Sequence, residues 1–393
     1  MQAVIIAAGK STRTYPLTLT KPKPMLKVAG IPILEHNLKQ LQHVVKEAII
    51  IIGYKGNQIQ DYFGEEYGHI KLKYIVQEKQ DGNGSALLLA KDLLKDKFIV
   101  MNSDDLFSKK DIKKCLKHKY CVLVKEMKNL SNFGHVVPDK EKNKIFKFQE
   151  KPGNIEGLAN TGLLVLDKEI FKYKLELSRR DEYELTDYLT YLIDTNEVYF
   201  EKAEFWLPIT YPWSLLEANK IFLDKIKTDV RGKIEKNVII KGEVIVGKKT
   251  IIKSGAYIEG PVILGEECKI GPNCYIRSYT VIGNRSKVGN AVEIKNTIVG
   301  EDTSVGHLTY LGDSVIGDKV NFGAGTITAN LRHDDENIET PVKDIMIDTG
   351  RRKLGTIIGD GVHTGIHTSI YPGRKIWPNK ITLPGEIVKR DIK

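Results

Sequence analysis

The stretch Val262-Ile263-Leu264-Gly265-Glu266-Glu267-Cys268-Lys269-Ile270-Gly271-Pro272-Asn273-Cys274-Tyr275-Ile276 repeats an apolar-glycine pair after six residues, at Leu264-Gly265 and again at Ile270-Gly271. The same pair marks Gly247, Gly265, Gly271, Gly283 and Gly289, with separations of 18, 6, 12 and 6 residues. The register slips by one residue before Gly300, Gly306 and Gly312, and again before Gly317 and Gly323. Gly359 and Gly365 then follow Gly323 by 36 and 42 residues, again multiples of six. A period held over such a length marks a hexapeptide β-helix. One apolar residue in six points inward, three short strands close a coil of about 18 residues, and each coil pairs its backbone with the next. Residues 331–355 are polar and break the repeat, so they are expected to form a loop leaving the solenoid. A loop of that length in a tight coil is often functional.

Upstream of residues 227–233 the pattern changes. Apolar runs at 3–8, 48–52, 72–76 and 98–101 read as strands, and 32–42 and 85–94 between them read as helices. That alternation predicts an α/β domain with a mostly parallel, Rossmann-like sheet. Two domains are therefore expected, 1–228 and 229–393. Ligands of such sheets gather at the carboxyl ends of strands, which here lead into the loops 9–13, 77–84 and 103–105.

The chain has 393 residues, 41% hydrophobic and 28% charged, with a net charge of +10. Lysines alternate with acids, as in Asp139-Lys140-Glu141-Lys142, which reads as a solvated mixed surface rather than a basic stripe with aromatic platforms. Nucleic acid is therefore not an expected partner, while an excess of positive charge suits phosphate-bearing ligands. No apolar run is long enough to span a bilayer, and residues 3–8 lead straight into a glycine turn rather than a signal sequence. These features predict a cytoplasmic protein without a membrane partner. Cys115, Cys121, Cys268 and Cys274 form no C-x-x-C pair and are expected to be reduced. The six-residue spacing of Cys268 and Cys274 puts them on adjacent faces of the solenoid.

The first strand opens into Ala7-Ala8-Gly9-Lys10-Ser11-Thr12-Arg13. Gly9 permits a close turn whose N–H groups can cradle a triphosphate. Arg13, and Lys23 in Lys21-Pro22-Lys23-Pro24-Met25, supply positive charge. A Walker A motif is excluded, because its first glycine would fall at Val4. The segment resembles the signature of the sugar-1-phosphate nucleotidyltransferases, A-A-G-x-G-[ST]-R followed by P-K-x-[ML], with Ser11 in place of the second glycine. Further motifs follow in the order of that family over residues 1–225. Gln77 to Gly84 resembles the base-reading loop, so Ala8, Gly9, Gln77 and Gly82 are implied to bind the nucleotide. Asn132-Phe133-Gly134, Glu150-Lys151-Pro152 and Asn160-Thr161-Gly162 resemble the sugar-phosphate pocket, with Gly134, Glu150 and Asn160 on the sugar and Lys151 on phosphate. Glu182 to Asp187 matches a helix-opening signature. Asn102-Ser103-Asp104-Asp105 resembles the family's G-D, with Asp104 as the Mg²⁺ carboxylate. One position departs from the family: Trp206-Leu207-Pro208 has proline where a W-x-D pattern would place a second metal-binding carboxylate.

In the solenoid, His307-Leu308-Thr309-Tyr310-Leu311-Gly312-Asp313 is followed by Asn321-Phe322-Gly323-Ala324-Gly325-Thr326-Ile327-Thr328-Ala329-Asn330. Residues 235–393 resemble the acetyltransferase half of the bifunctional glucosamine-1-phosphate N-acetyltransferase/uridylyltransferases, whose β-helix is left-handed. Arg351-Arg352-Lys353-Leu354-Gly355 and Tyr211-Pro212-Trp213 are closest to the archaeal type. The resemblance implies that His307 is the general base, a role suited to imidazole. Tyr310 and Asn330 would orient the amino sugar. Asn321 and Ala324 would line the ligand channel, Arg390 would meet the phosphates of acetyl-CoA, and Arg351, Arg352 and Lys353 are further phosphate candidates. Where relatives carry lysines, this chain has Glu336 and Glu339 beside Asp334 and Asp335.

The resemblance therefore implies acetyl-CoA and UTP (or dTTP) as co-substrates, Mg²⁺ as cofactor, and a homotrimer built through the β-helix. Two other readings stay open. In one the β-helix only oligomerises a nucleotidyltransferase. In the other, prompted by Pro208, the chain is a regulatory sugar-nucleotide-binding subunit.

Overall fold

The four strands read from the first half are present in the computed structural model as Gln2–Ala7, Glu47–Ile52, Ile70–Val76 and Lys97–Asn102. The structure describes residues 1–139, 143–178 and 180–393, so most of the mixed-charge run 139–142 lies outside it. The four strands pair in parallel, with Ile5 opposite Ile50 and Met101, and Ile50 opposite Tyr74. Side chains alternate between faces. Ile5, Ile50 and Met101 join one apolar cluster, while Val4, Ile49, Ile51 and Val100 join another on the opposite face. Both faces are thus covered at the centre of the sheet, which is why Gln2–Ala7, Glu47–Ile52 and Lys97–Asn102 read as nearly continuous apolar runs, while Ile70–Val76 alternates with exposed Lys71 and Lys73. Each such buried side chain contributes about 1.5–3 kcal/mol. Gln2–Ala7 lies between Lys97–Asn102 and Glu47–Ile52, so the loop after it opens at a topological switch point.

The Rossmann-like sheet keeps the expected parallel strands at its centre and adds antiparallel ones at one side. Strand Gly157–Asp167 joins it antiparallel to both Lys97–Asn102 and Cys121–Met127, and His135–Pro138 with Ile145–Gln149 extends it. Helices Ile33–Leu41 and Asn83–Leu89 replace the predicted 32–42 and 85–94.

The chain divides into two compact units. One comprises Met1–Lys10, Pro22–Met25 and Pro32–Pro208, and the other Ser11–Lys21, Leu26–Ile31 and Ile209–Lys393. The second unit contains three parallel sheets of eight, six and eight short strands, which form a parallel β-helix. Ile258, Ile276 and Ile294 stack with steps of 18 residues. The steps Val281 to Ile298, Val288 to Val305 and Ile294 to Leu311 are 17 residues, which is the register slip seen in the sequence. The repeated glycine has a steric cause: a Cβ on Gly283 would come within 2.6 Å of the Gly300 backbone in the next coil. Cys268 and Cys274 precede strands of different sheets, and all four cysteines are buried and unbridged.

The excursion at 331–355 is more ordered than a plain loop. Glu339–Val342 pairs antiparallel with Ile345–Asp348. Lys343 and Asp344 link the two strands with φ of 50° and 65°, the positive values a tight hairpin turn requires. The ladder then resumes, with Ile316 opposite Ile358.

Candidate functional site

In the first unit, the turn after Gln2–Ala7 is fixed where Ala8 accepts a hydrogen bond from the Tyr54 N–H at 3.1 Å. Gly53 is packed so closely there that a Cβ would lie 2.8 Å from the Ala8 carbonyl oxygen. Gly9 has open space on its Cβ side, so its backbone is approachable. At the end of Lys97–Asn102, buried Lys23 places Nζ 2.6 Å from Asp104 Oδ2.

Asp105 is buried. Burial, and then the neighbouring Asp104, push its carboxyl up to about 7. Its backbone carbonyl accepts from Asn37 Nδ2 at 2.7 Å, and the Trp206 indole lies 3.4 Å from its Oδ2. Among the described residues no three His, Cys, Asp or Glu side chains are grouped as a metal site. Asp104 offers one partly exposed hard oxygen, the donor type Mg²⁺ takes.

Gln77 and Gly82 come together. Gln77 Nε2 donates to the Gly82 carbonyl at 2.9 Å and to Ser85 Oγ at 2.8 Å, and Ser85 donates to Asp81 at 2.6 Å. Gly82 has φ of 128°, and a Cβ there would collide with the Tyr183 carbonyl. The loop is zipped to the 182–187 motif: the Tyr183 N–H donates to the Asp81 carbonyl at 2.7 Å, and the Gly84 N–H donates to the Tyr183 carbonyl at 2.8 Å. The 182–187 motif therefore holds the 77–84 loop and also starts helix Leu185–Thr195.

The residues expected at the sugar phosphate also converge. The Asn160 N–H donates to the Gly134 carbonyl at 2.7 Å, and a Cβ on Gly134 would lie 3.1 Å from Glu150 Oε2. Lys151 Nζ lies 3.5 Å from Glu150. Two residues without an assigned role complete the cluster: Arg180 binds Glu184 through Nε at 3.0 Å and reaches Glu150 at 3.3 Å. Burial, then Glu184 and Glu150, raise the Asp187 carboxyl above its usual range.

In the second unit, Arg13 sits in the one-turn segment Thr12–Thr14, where Thr14 and Thr18 hydroxyls both donate to the Ser11 carbonyl at 2.7 and 2.9 Å. On the solenoid, His307 ends strand Ser304–His307, exposed, opposite Asn290. Tyr310 opens the next strand around the corner. Asn330 Nδ2 lies 3.2 Å from the Tyr310 hydroxyl and 2.5 Å from Asp313 Oδ2, and Asn296 donates to Asp313 Oδ1 at 2.7 Å. Asp313 is the buried centre of this chain, with no signal in the repeat beyond its place after Gly312. Burial pulls the nearby Arg351 guanidinium down, and Asp313 opposes this. Arg352 is paired with Asp335 at 2.6 Å, and Arg332 with Asp334 at 2.5 Å, so part of the acidic stretch neutralises its own arginines.

Asn321 pairs with Ser304 on the sheet of His307, and the Ala324 carbonyl accepts from the His367 N–H at 2.8 Å. Arg390 is exposed and follows Ile387–Val388, three strands from Tyr310 along their sheet, so one chain does not bring it to the Tyr310–Asn330 cluster.

A sheet with its glycine turn at a switch point, an acid–lysine pair beside it and a hexapeptide solenoid define a nucleotidyl transferase fused to a β-helix. The nucleotidyl transferase family model matches residues 2–225, and a GMPPB C-terminal domain model matches 258–389. The chain is 45% identical to the bifunctional protein GlmU of Methanocaldococcus jannaschii, covering 100% of this chain and 96% of that one. It is 37% identical to a bifunctional sugar-1-phosphate nucleotidylyltransferase/acetyltransferase of Sulfurisphaera tokodaii, covering 100% and 98%. A crystal structure of UDP-glucose pyrophosphorylase with UDP-glucose shares the fold of the front half, with a TM-score of 0.53 at 21% identity over 57% of this chain and 99% of that one. The chain belongs to the nucleotidyl transferase family and, over its whole length, to the bifunctional GlmU-type enzymes. No helix among the described residues is long and apolar enough to cross a membrane.

Proposed function

We propose that this enzyme N-acetylates glucosamine-1-phosphate with acetyl-CoA and couples the product to UTP (or dTTP), making UDP-N-acetylglucosamine. Residues 1–228 serve the nucleotidyl transfer and 229–393 the acetyl transfer. The observation that carries this reading is the Tyr310–Asn330–Asp313 chain on the solenoid of a protein that matches bifunctional relatives end to end. Packing a β-helix does not require such a buried polar chain.

In nucleotidyl transfer, the sugar phosphate attacks the α-phosphorus in line and pyrophosphate leaves. Arg13 and Lys23 neutralise the triphosphate, and the Gly9 turn cradles it. Gln77 and the Gly82 backbone read the base, while Gly134, Glu150, Lys151 and Asn160 hold the sugar phosphate. Mg²⁺, held by Asp104, phosphate oxygens and water, would supply charge neutralisation. Positioning carries the rest of the catalysis. In acetyl transfer, His307 takes the proton of the sugar amine as the nitrogen attacks the thioester carbonyl. Tyr310 and Asn330 orient the amine, and Asn321, Ala324 and Arg390 bind acetyl-CoA. The exposed edge of the solenoid and the distance of Arg390 from Tyr310 favour a homotrimer with sites shared between chains. We place the enzyme in the cytoplasm.

The test follows free thiol and pyrophosphate separately in protein incubated with glucosamine-1-phosphate, acetyl-CoA, UTP and Mg²⁺. His307→Ala should abolish thiol release and spare pyrophosphate release from N-acetylglucosamine-1-phosphate. Thiol release that survives this change removes His307 as base. A wild-type protein that makes no pyrophosphate with any nucleotide favours the regulatory reading.

A further inference from the structure

The corner of the β-helix carries a ladder of short polar side chains. Asn284 Oδ1 accepts from the Glu266 N–H, Asp318 Oδ1 from the Glu301 N–H and Asp360 Oδ1 from the Asp318 N–H, each at 2.8 Å. In the two aspartates one oxygen thus caps the neighbouring coil, and the second oxygen is left for another partner. Both second oxygens meet Lys21, whose Nζ lies 2.5 Å from Asp318 Oδ2 and 3.0 Å from Asp360 Oδ2. The Thr20 hydroxyl donates to the same Asp360 oxygen at 2.7 Å. Lys27 pairs with Glu301 one coil away, and the Ala29 N–H donates to Asn219 Oδ1 at 3.0 Å.

Lys21 is largely buried. Burial pulls its ammonium down, but Asp318 and Asp360 outweigh that and hold it above its ordinary value. A buried lysine between two carboxylates that also hold backbone N–H groups is a fixed anchor, unlike a solvated surface pair. Along the chain this anchor falls eight residues after Arg13 and two before Lys23. The Ser11–Lys21 segment accordingly groups with the β-helix rather than with the sheet of the first unit.

We propose that Lys21, clamped by Asp318 and Asp360, is a positioning residue for nucleotidyl transfer, so that two carboxylates of the acetyltransferase solenoid set the efficiency of the other reaction. Releasing the clamp frees the segment that carries Arg13, and a displacement of about 1 Å in a positioning group costs about a hundredfold in rate. The inference rests on the assignment of Arg13 to nucleotidyl transfer.

The test uses the full chain with Lys21→Ala, Lys21→Arg and the double change Asp318→Asn with Asp360→Asn. The asparagines can keep the Oδ1 caps, while each Oδ2 that accepts from Lys21 becomes an uncharged amide donor. Pyrophosphate and thiol release are measured side by side, with the rate of trypsin cleavage after Arg13 as a readout independent of activity. Lys21→Ala and the double variant should lose at least tenfold in kcat for nucleotidyl transfer, keep thiol release within twofold, and be cut at Arg13 at least fivefold faster. Lys21→Arg should recover most of both. Unchanged cleavage and kcat in the double variant overturn the clamp, as does a parallel fall in both activities, which would mark a purely structural role. Faster cleavage in a protein whose wild type makes no pyrophosphate upholds the clamp and removes the nucleotidyl assignment instead.

Discussion

Asp105 stands directly across from Pro208 in the antiparallel ladder that pairs Asp105–Phe107 with Trp206–Pro208. Opposite residues project to the same face, so the Asp105 carboxylate lies on the side where a carboxylate at 208 would have pointed. Its raised pKa gives a signed prediction. The folded chain holds this proton up to about pH 7, whereas the unfolded chain releases it near pH 4. Stability of the metal-free protein should therefore fall as pH rises between those values. Asp105→Asn should remove that fall, read from thermal melts in EDTA, and should also raise the Mg²⁺ concentration needed for half-maximal pyrophosphate release.

Gly82→Ala puts a methyl group against the Tyr183 carbonyl in a backbone conformation, φ 128°, that L side chains rarely adopt. The cost is about 1–3 kcal/mol of local strain, falling on the loop that Gln77 holds. The KM for the nucleoside triphosphate should rise at least tenfold while thiol release is unaltered. An unchanged KM would detach this loop from base reading.

Asn330→Ala should act on the other reaction. It removes the donor shared by Tyr310 and the buried Asp313, and leaving a buried acceptor short of a partner costs about 1–3 kcal/mol. Acetyl transfer should drop at least tenfold, with pyrophosphate release from N-acetylglucosamine-1-phosphate intact.

Lys375 is almost fully buried, and its Nζ donates to the Pro341 carbonyl of the excursion at 2.5 Å. Burial brings its pKa down to about 8. The unfolded chain keeps this proton up to about pH 10, so stability should rise with pH from about 8 to about 10. Lys375→Met should flatten that rise and match or exceed the wild-type melting temperature at neutral pH, as measured by calorimetry.

The solenoid was legible because its constraint is steric and local. At glycines such as Gly247, Gly283, Gly300 and Gly323 a Cβ would strike the next coil, so even the one-residue slips show in the sequence as 17-residue steps. Three of the four parallel strands, Gln2–Ala7, Glu47–Ile52 and Lys97–Asn102, were legible for the same kind of reason, as apolar runs buried on both faces. The antiparallel extension was not. Strands such as His135–Pro138 and Ile145–Gln149 are short and partly exposed, and their pairing is set by distant partners. The residues expected at the sugar and the base announced themselves through motifs, but Arg180, Glu184 and Asp313 act as tethers between segments. A tether has no periodicity to read. Lys21 escaped for a further reason: its partners lie 297 and 339 residues away in the chain.

The hairpin excursion between Asn330 and Gly355 leaves and rejoins the β-helix without disturbing its ladder, since Val315 and Ile316 simply find Ile357 and Ile358 in place of residues one coil on. The excursion is nonetheless seated on the solenoid, where the Thr340 hydroxyl donates to the Gly373 carbonyl and Lys375 to the Pro341 carbonyl. Only the outward strand, Ile345–Asp348, is largely exposed, so variation is expected to collect there while the inner strand and the coils beneath it keep their register.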